Sequence, residues 1–176
     1  KLKKVLIKHN QNIFINYFEI FEKYVVLKCR EKGYQSLRII DRENFKVSKI
    51  RLPQKVASFY GHGNNQYSSK IYRISYQSFL LPKRILEINL KTKNISVKKT
   101  NKINKFNENK YTLISKYAMS HDMEQIPITI IFKKGIDKRK APCLLSAYGS
   151  YGISIDPYFS SNSISLLDRG FIVAIA

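Results

Sequence analysis

The segment Tyr148-Gly149-Ser150-Tyr151-Gly152 gathers the residue types best suited to chemistry in this chain. Its two glycines make a tight turn whose backbone is exposed. The turn follows Cys143-Leu-Leu-Ser-Ala-Tyr148, a nearly continuous apolar run of strand length, which predicts a strand buried on both faces. A phenol at the end of such a strand is rigid, neutral at pH 7 and able to donate one hydrogen bond. On the residues alone, Tyr148 reads as a core tyrosine whose hydroxyl meets a carbonyl, and Tyr151 as a packing aromatic.

Other reactive side chains form no constellation. The nucleophile turn Gly-x-Ser-x-Gly occurs nowhere in the 176 residues. His121 stands beside Asp122, but neighbours at a hairpin turn point apart, so the pair is not read as catalytic. His9 and His62 lie among polar residues and read as solvated. Cys29 and Cys143 are far apart, match no metal-ligand or redox spacing, and read as small core hydrophobes. No cofactor is expected.

The elements that must position these residues change character along the chain. Up to residue 110 the sequence reads as short strands joined by turns at roughly 8–12-residue spacing, which indicates an all-β sandwich, barrel or propeller. Strands are expected at 24–30, 36–41, 47–52, 70–76, 84–90 and 95–98, and Phe14 to Glu22 is read as another. Lys32-Gly33 marks a turn, Gly61-His-Gly63 a loop where positive φ is cheap, and Pro82 a break. From residue 111 a hairpin is expected, 111–119 with 126–132, turning at 120–124. Then come the apolar run at 143–148, a helix over 160–167 ended by Gly170 as its C′ residue, and an apolar strand from Phe171. Strand, crossover helix, strand is the start of an α/β sheet, and the chain stops inside its last strand.

Charge is the loudest compositional signal, at +20. It is uneven: residues 1–110 hold 25 bases and 7 acids, residues 111–176 hold 7 and 5. The 24 Lys come with 24 Ile and 13 Asn, residues that A/T-rich codons favour together, so base composition is preferred over selection for a phosphate-binding face. The densest stretch, Lys91 to Lys110, alternates bases with Ile, Val and Asn, as on solvated strand edges, and lacks the aromatic interleaving that stacks nucleotides. No apolar stretch approaches the ~18–20 residues of a membrane span, and the short apolar run in Lys1–Lys8 is not that of a secretory signal. A cytoplasmic protein without membrane contact is expected.

The segment from Tyr148 to Gly152, followed by Ile-Ser-Ile-Asp-Pro and then Ser165-Leu-Leu-Asp-Arg-Gly-Phe-Ile-Val-Ala-Ile, resembles the prolyl oligopeptidase family of serine peptidases, and within it the oligopeptidase B (protease II) branch. Lys116-Tyr-Ala-Met-Ser-His-Asp-Met-Glu-Gln-Ile-Pro resembles the hairpin that opens that branch's peptidase domain. The segments from Val25 and from Tyr76 resemble its last propeller blades. Ser146-Ala147 depart from the Tyr-Gly that the family usually carries there.

The resemblance implies β-propeller blades over 1–110, followed by the first strands of an α/β-hydrolase domain over 111–176, truncated. It implies that Tyr148 donates its hydroxyl to the oxyanion of the tetrahedral intermediate, and that Tyr151 lines the substrate pocket. The Ser, Asp and His of the triad, and the acids that select basic substrates, are implied to lie downstream. By the same implication the whole enzyme cleaves short peptides after Arg or Lys, and these 176 residues are inactive alone. The missing C-terminal half of the peptidase domain becomes a possible partner. The rival reading from another class is a non-enzymatic basic β-domain that binds nucleic acid or another polyanion.

Overall fold

The computed structural model describes residues 5–176; the first four residues of the Lys1–Lys8 segment lie outside the described residues. Four-stranded sheets form three times. The first holds β1 (Ile13–Ile20), β2 (Tyr24–Glu31), β3 (Tyr34–Asp41) and β4 (Val47–Ile50) in chain order, each antiparallel to the next. Lys32-Gly33 joins β2 to β3 with φ of 49° and 84°, the two left-handed residues of a type I′ turn, whose twist matches that of the paired strands. The segment read as a strand from Phe14 is β1, with a bulge between Ile15 and Tyr17. β2 and β3 are buried along most of their length, and Val25, Leu27, Cys29 and Ile40 form one apolar cluster joined by Ile7 and Ile13. Cys29 is the core residue it was expected to be, and burial pushes its thiol pKa up.

The second sheet holds β5 (Ser58–Gly61), β6 (Ile71–Ser78), β7 (Leu81–Asn89) and β8 (Ile95–Thr100), again in chain order. It repeats the first sheet's turns. After β3, the Asp41 carboxylate accepts from the Glu43 and Asn44 amides, Phe45 N–H returns to Asp41 C=O, and Phe45 takes φ 60°. After β7, the Asn89 side chain accepts from the Lys91 and Thr92 amides, Lys93 N–H returns to Asn89 C=O, and Lys93 takes φ 68°. Two sheets built on one plan are the mark of a blade repeat.

Two expectations are corrected here, and one further strand appears. Ser58–Gly61 is a strand, too short and too mixed in polarity to show period-two alternation. Gly61 is not a positive-φ loop residue: a Cβ there would lie 2.6 Å from Glu19 Oε1 and 3.1 Å from the Tyr72 hydroxyl, the tips of two hydrogen-bonded side chains that would have to shift. Pro82 does not break the chain, because the turn is the buried pair Phe79-Leu80 and proline fits the opening of β7, where a missing N–H is tolerated.

Polar side chains tie this region together. Tyr72 donates to Glu19 at 2.6 Å, and Arg42 reaches the carbonyls of Phe21 and Glu22 and the Tyr67 hydroxyl. Burial and the Glu19 carboxylate push the Tyr72 pKa up, so the phenol stays a donor. Glu31 accepts from Ser36 at 2.7 Å, from Arg38 at 2.8 Å and from Lys49.

β9 (Tyr111–Met119), β10 (Gln125–Lys133), β11 (Cys143–Ser146) and β12 (Ile172–Ile175) make the third sheet, in the order β11-β12-β10-β9. The β9–β10 hairpin forms as expected, and β11 runs parallel to β12. Between them lies α1 (Ser161–Asp168). Ser160 caps its start by accepting from Ser163 N–H, and Gly170 (φ 87°) ends it. Gly170 N–H returns to Leu167 C=O and Phe171 N–H to Leu166 C=O, the paired bonds of a Schellman motif. The chain forms two compact units: one comprises residues up to Lys55 with Phe59–Tyr76 and Arg84–Lys99, the other Val56–Ser58, Gln77–Lys83 and Thr100–Ala176. No helix among the described residues is long and apolar enough to cross a membrane.

Two substitutions test this packing. Gly61→Ala should cost about 1 kcal/mol, because its Cβ shifts the tips of the bonded Glu19–Tyr72 pair, and equilibrium urea unfolding reads the loss. Glu31 has a pKa of about 2: burial alone would raise it, but the bonds from Lys49, Ser36 and Arg38 outweigh burial and lower it from 4.5. A depressed carboxylate contributes stability above its unfolded pKa and loses it as pH falls through the folded one. Glu31→Gln should therefore be about 1–2 kcal/mol less stable than the parent at pH 6, with the gap closing between pH 4.5 and 2 in urea titrations.

Candidate functional site

The turn that follows β11 carries the sequence's candidate residues. β11 ends at Ser146, whose carbonyl accepts from Ala176 N–H, so Tyr148 stands two residues beyond the strand. Gly149 (φ 67°), Tyr151 (φ 52°) and Gly152 (φ 62°) all take left-handed backbone, and Ile153 N–H closes onto Ser150 C=O. Tyr151 holds that conformation without glycine's freedom and is 88% exposed; Tyr148 is 52% exposed. The turn thus leaves both phenol-bearing residues open to solvent. Downstream, the Ser58 hydroxyl holds the chain by donating to Pro157 C=O.

The expectation of a strand buried on both faces is corrected. Cys143, Leu144 and Leu145 are exposed, Leu145 at 63%, so Cys143 is not a core residue in this chain. β11 is the outer strand of its sheet and has a neighbour on one side. Nor does Tyr148 end a buried strand or sit in a core.

His121 and Asp122 occupy the β9–β10 turn, as expected. Asp122 accepts from the Ser120 hydroxyl, which also lowers its pKa, and Met123 turns the chain at φ 67°. The cluster that sequence reading missed is Asp168 with Lys133 at 2.8 Å and the Tyr111 hydroxyl at 3.1 Å. The Lys133 bond holds Asp168 below the usual carboxylate range, helped by Tyr111, while burial and Asp168 together raise the Tyr111 pKa. It fastens the end of α1 to the β9–β10 hairpin across 35 and 57 positions of sequence, a span no local pattern reveals. Beside it opens a groove of about 480 Å³, walled by Phe106, Tyr111, Phe159, Ser165 and Arg169.

Residues 1–101 match the family described as prolyl oligopeptidase, N-terminal beta-propeller domain. The chain belongs to the prolyl oligopeptidase family. Its blade-like sheets are the counterpart of that match. A dipeptidyl aminopeptidase BI of Pseudoxanthomonas mexicana is 32% identical over 172 residues, which cover 97% of this chain and 24% of that protein. A prolyl endopeptidase of Elizabethkingia meningoseptica is 31% identical over 136 residues, 77% of this chain and 19% of the relative. Among solved structures, oligopeptidase B from Trypanosoma brucei with covalently bound antipain superposes with a TM-score of 0.87 at 26% identity, over 97% of this chain and 26% of that one. The chain therefore spans about a quarter of the length of these relatives.

The exposed face of β11 generates a prediction. The 176-residue chain on its own should self-associate through this edge, because an apolar strand with unpaired amides templates further pairing. Sedimentation velocity should show oligomers or aggregates for the parent and a shift towards monomer for Leu145→Lys, whereas a monomeric parent would contradict the expectation.

Proposed function

We propose that this chain supplies the last propeller blades (1–110) and the first strands of the α/β-hydrolase domain (111–176) of a cytoplasmic serine oligopeptidase of the oligopeptidase B type. The observation that carries the reading is the unbroken likeness to the T. brucei enzyme across both parts of the chain. The enzyme hydrolyses short peptides after Arg or Lys through an acyl-enzyme. The Ser, Asp and His that perform the transfer are contributed by chain beyond these 176 residues, and the propeller keeps folded proteins from them.

Within this reading Tyr148 is the side-chain donor to the oxyanion. Attack on the scissile carbonyl places a full negative charge on its oxygen, and a neutral phenol held on a strand-anchored turn donates to that oxygen without reorganising. A backbone N–H next to the nucleophile supplies the second donor. The exposure of Tyr148 and its position beyond β11 leave its hydroxyl available to a substrate. Tyr151, left-handed and exposed, walls the pocket that receives the substrate side chain. Ser146-Ala147, in place of the family's usual Tyr-Gly, put a Cβ at the foot of this turn where the family carries glycine.

The test uses the full enzyme carrying this chain and chromogenic peptides ending in Arg, in Pro and in a neutral dipeptide with a free amino terminus. The Arg substrate should give the highest kcat/KM; preference for the free-amino dipeptide would replace the reading with dipeptide release. Tyr148→Phe deletes one oxygen and leaves the fold intact. It should lower kcat by about 10²–10³-fold with little change in KM, as expected when an interaction forms mainly in the transition state. Wild-type kcat in that variant would reduce Tyr148 to a packing residue. The 176 residues alone should neither hydrolyse these substrates nor react with a fluorophosphonate probe.

A further inference from the structure

The segment from Ala147 to Ser160 carries Tyr148 and Tyr151 and runs without helix or strand between β11 and α1. Its position therefore rests on the points at which it is held to the rest of the fold. Upstream it starts from Ser146, whose carbonyl accepts from Ala176 N–H, but β11 is an edge strand with a neighbour on one side. Downstream the grip is firmer. Pro157 is buried, and its carbonyl accepts from the Ser58 hydroxyl, 99 positions away in sequence. Phe159 packs edge-to-face on Phe106 at 4.9 Å between ring centres, and Ser160 caps α1.

Both partners of the Ser58 bond are suited to holding a position. Ser58 is 1% exposed, Val56 and Ala57 before it are enclosed as well, and all three belong to the same compact unit as the turn. The receiving end is stiff. Proline fixes its own φ, and the residue before a proline, here Asp156, is kept from helical backbone. A shift of the Pro157 carbonyl is thus passed along the segment more readily than it is absorbed at 156–157. A buried carbonyl stripped of its donor is costly, so without the hydroxyl the segment has to move until water reaches that oxygen. Tyr148 and Tyr151, nine and six residues upstream, sit in an exposed turn with little packing of its own to resist such a shift.

We propose that Ser58 is a positioning residue for the oxyanion donor: by holding the Pro157 carbonyl it fixes the downstream foot of the segment that places the Tyr148 hydroxyl. The role rests on the peptidase reading above. Ser58 touches no reacting atom and acts through the segment alone.

The test uses the full enzyme with an Arg-terminated chromogenic peptide, and compares Ser58→Ala, Tyr148→Phe and the double variant. Ser58→Ala should lower kcat about tenfold with little change in KM, since a small misplacement of a donor weakens transition-state stabilisation more than ground-state binding. In the Tyr148→Phe background the same substitution should cost much less, because the donor it positions is already gone. Hydrogen exchange of Ser58→Ala should quicken at amides 149–156 and stay unchanged in β9 and β10. Ser58→Cys keeps the size with a weaker donor and should show the same pattern, smaller, should the alanine variant fail to fold. An impaired Tyr148→Phe beside a wild-type Ser58→Ala would overturn the proposal and leave the peptidase reading standing. An equal fold-loss in both backgrounds, or faster exchange throughout β9 and β10, would make Ser58 a packing residue and overturn it too. Wild-type kcat in Tyr148→Phe would fell the oxyanion reading itself, and this role with it.

Discussion

A sheet that is apolar on both faces has to be covered twice, and this constraint governs the chain. β2 and β3 are buried along most of their length, while β6 and β7 enclose one face through Ile74, Tyr76, Leu86 and Ile88. Strands like β2 and β3 cannot belong to a sheet with one wet side. A propeller meets the requirement by repetition, each blade covering its neighbours. The recurring Asp41 and Asn89 turns show how one local solution serves twice: a side-chain oxygen collects two amides, and one residue per turn accepts left-handed backbone.

The same constraint explains where the chain is open. β11 has the composition of a strand meant for two-sided cover, yet Leu144 and Leu145 face solvent, and α1 is the one α-helix in this unit among the described residues. The relatives are about four times as long as this chain. An apolar strand exposed in this way has the composition of an α/β sheet strand without the surroundings of one. Exposure of Tyr148 follows from the same geometry: the turn lies just beyond an uncovered strand end.

Much of the fold was legible because it rests on local pattern. Alternation placed β6 and β7, Lys32-Gly33 placed a hairpin, and Asp168-Arg-Gly170 placed the end of α1 down to its C′ glycine. What escaped depends on contacts distant in sequence. β5 is four residues long with no period to read, and Gly61 is fixed by Glu19 and Tyr72 rather than by φ. Pro82 looked like a breaker because the turn before it is made by the apolar pair Phe79-Leu80 instead of by turn formers. In the candidate site, the turn and its exposed phenols were readable from Tyr-Gly-Ser-Tyr-Gly. The Asp168–Lys133–Tyr111 cluster was not, since its members come from three elements. Burial of 143–148 was inferred from composition, which records the surroundings a strand is built for and not those it has in this chain.

Hydrogen exchange followed by mass spectrometry, on the 176 residues alone and on the full protein, tests the account most directly. Amides of β2, β3, β6 and β7 should be protected to a similar degree in both, because these strands find much of their cover within this chain. Amides of the edge strand β11 should exchange quickly in the isolated chain and become strongly protected in the full protein. Equal protection of β11 in the two would contradict the claim that this strand is built for further cover.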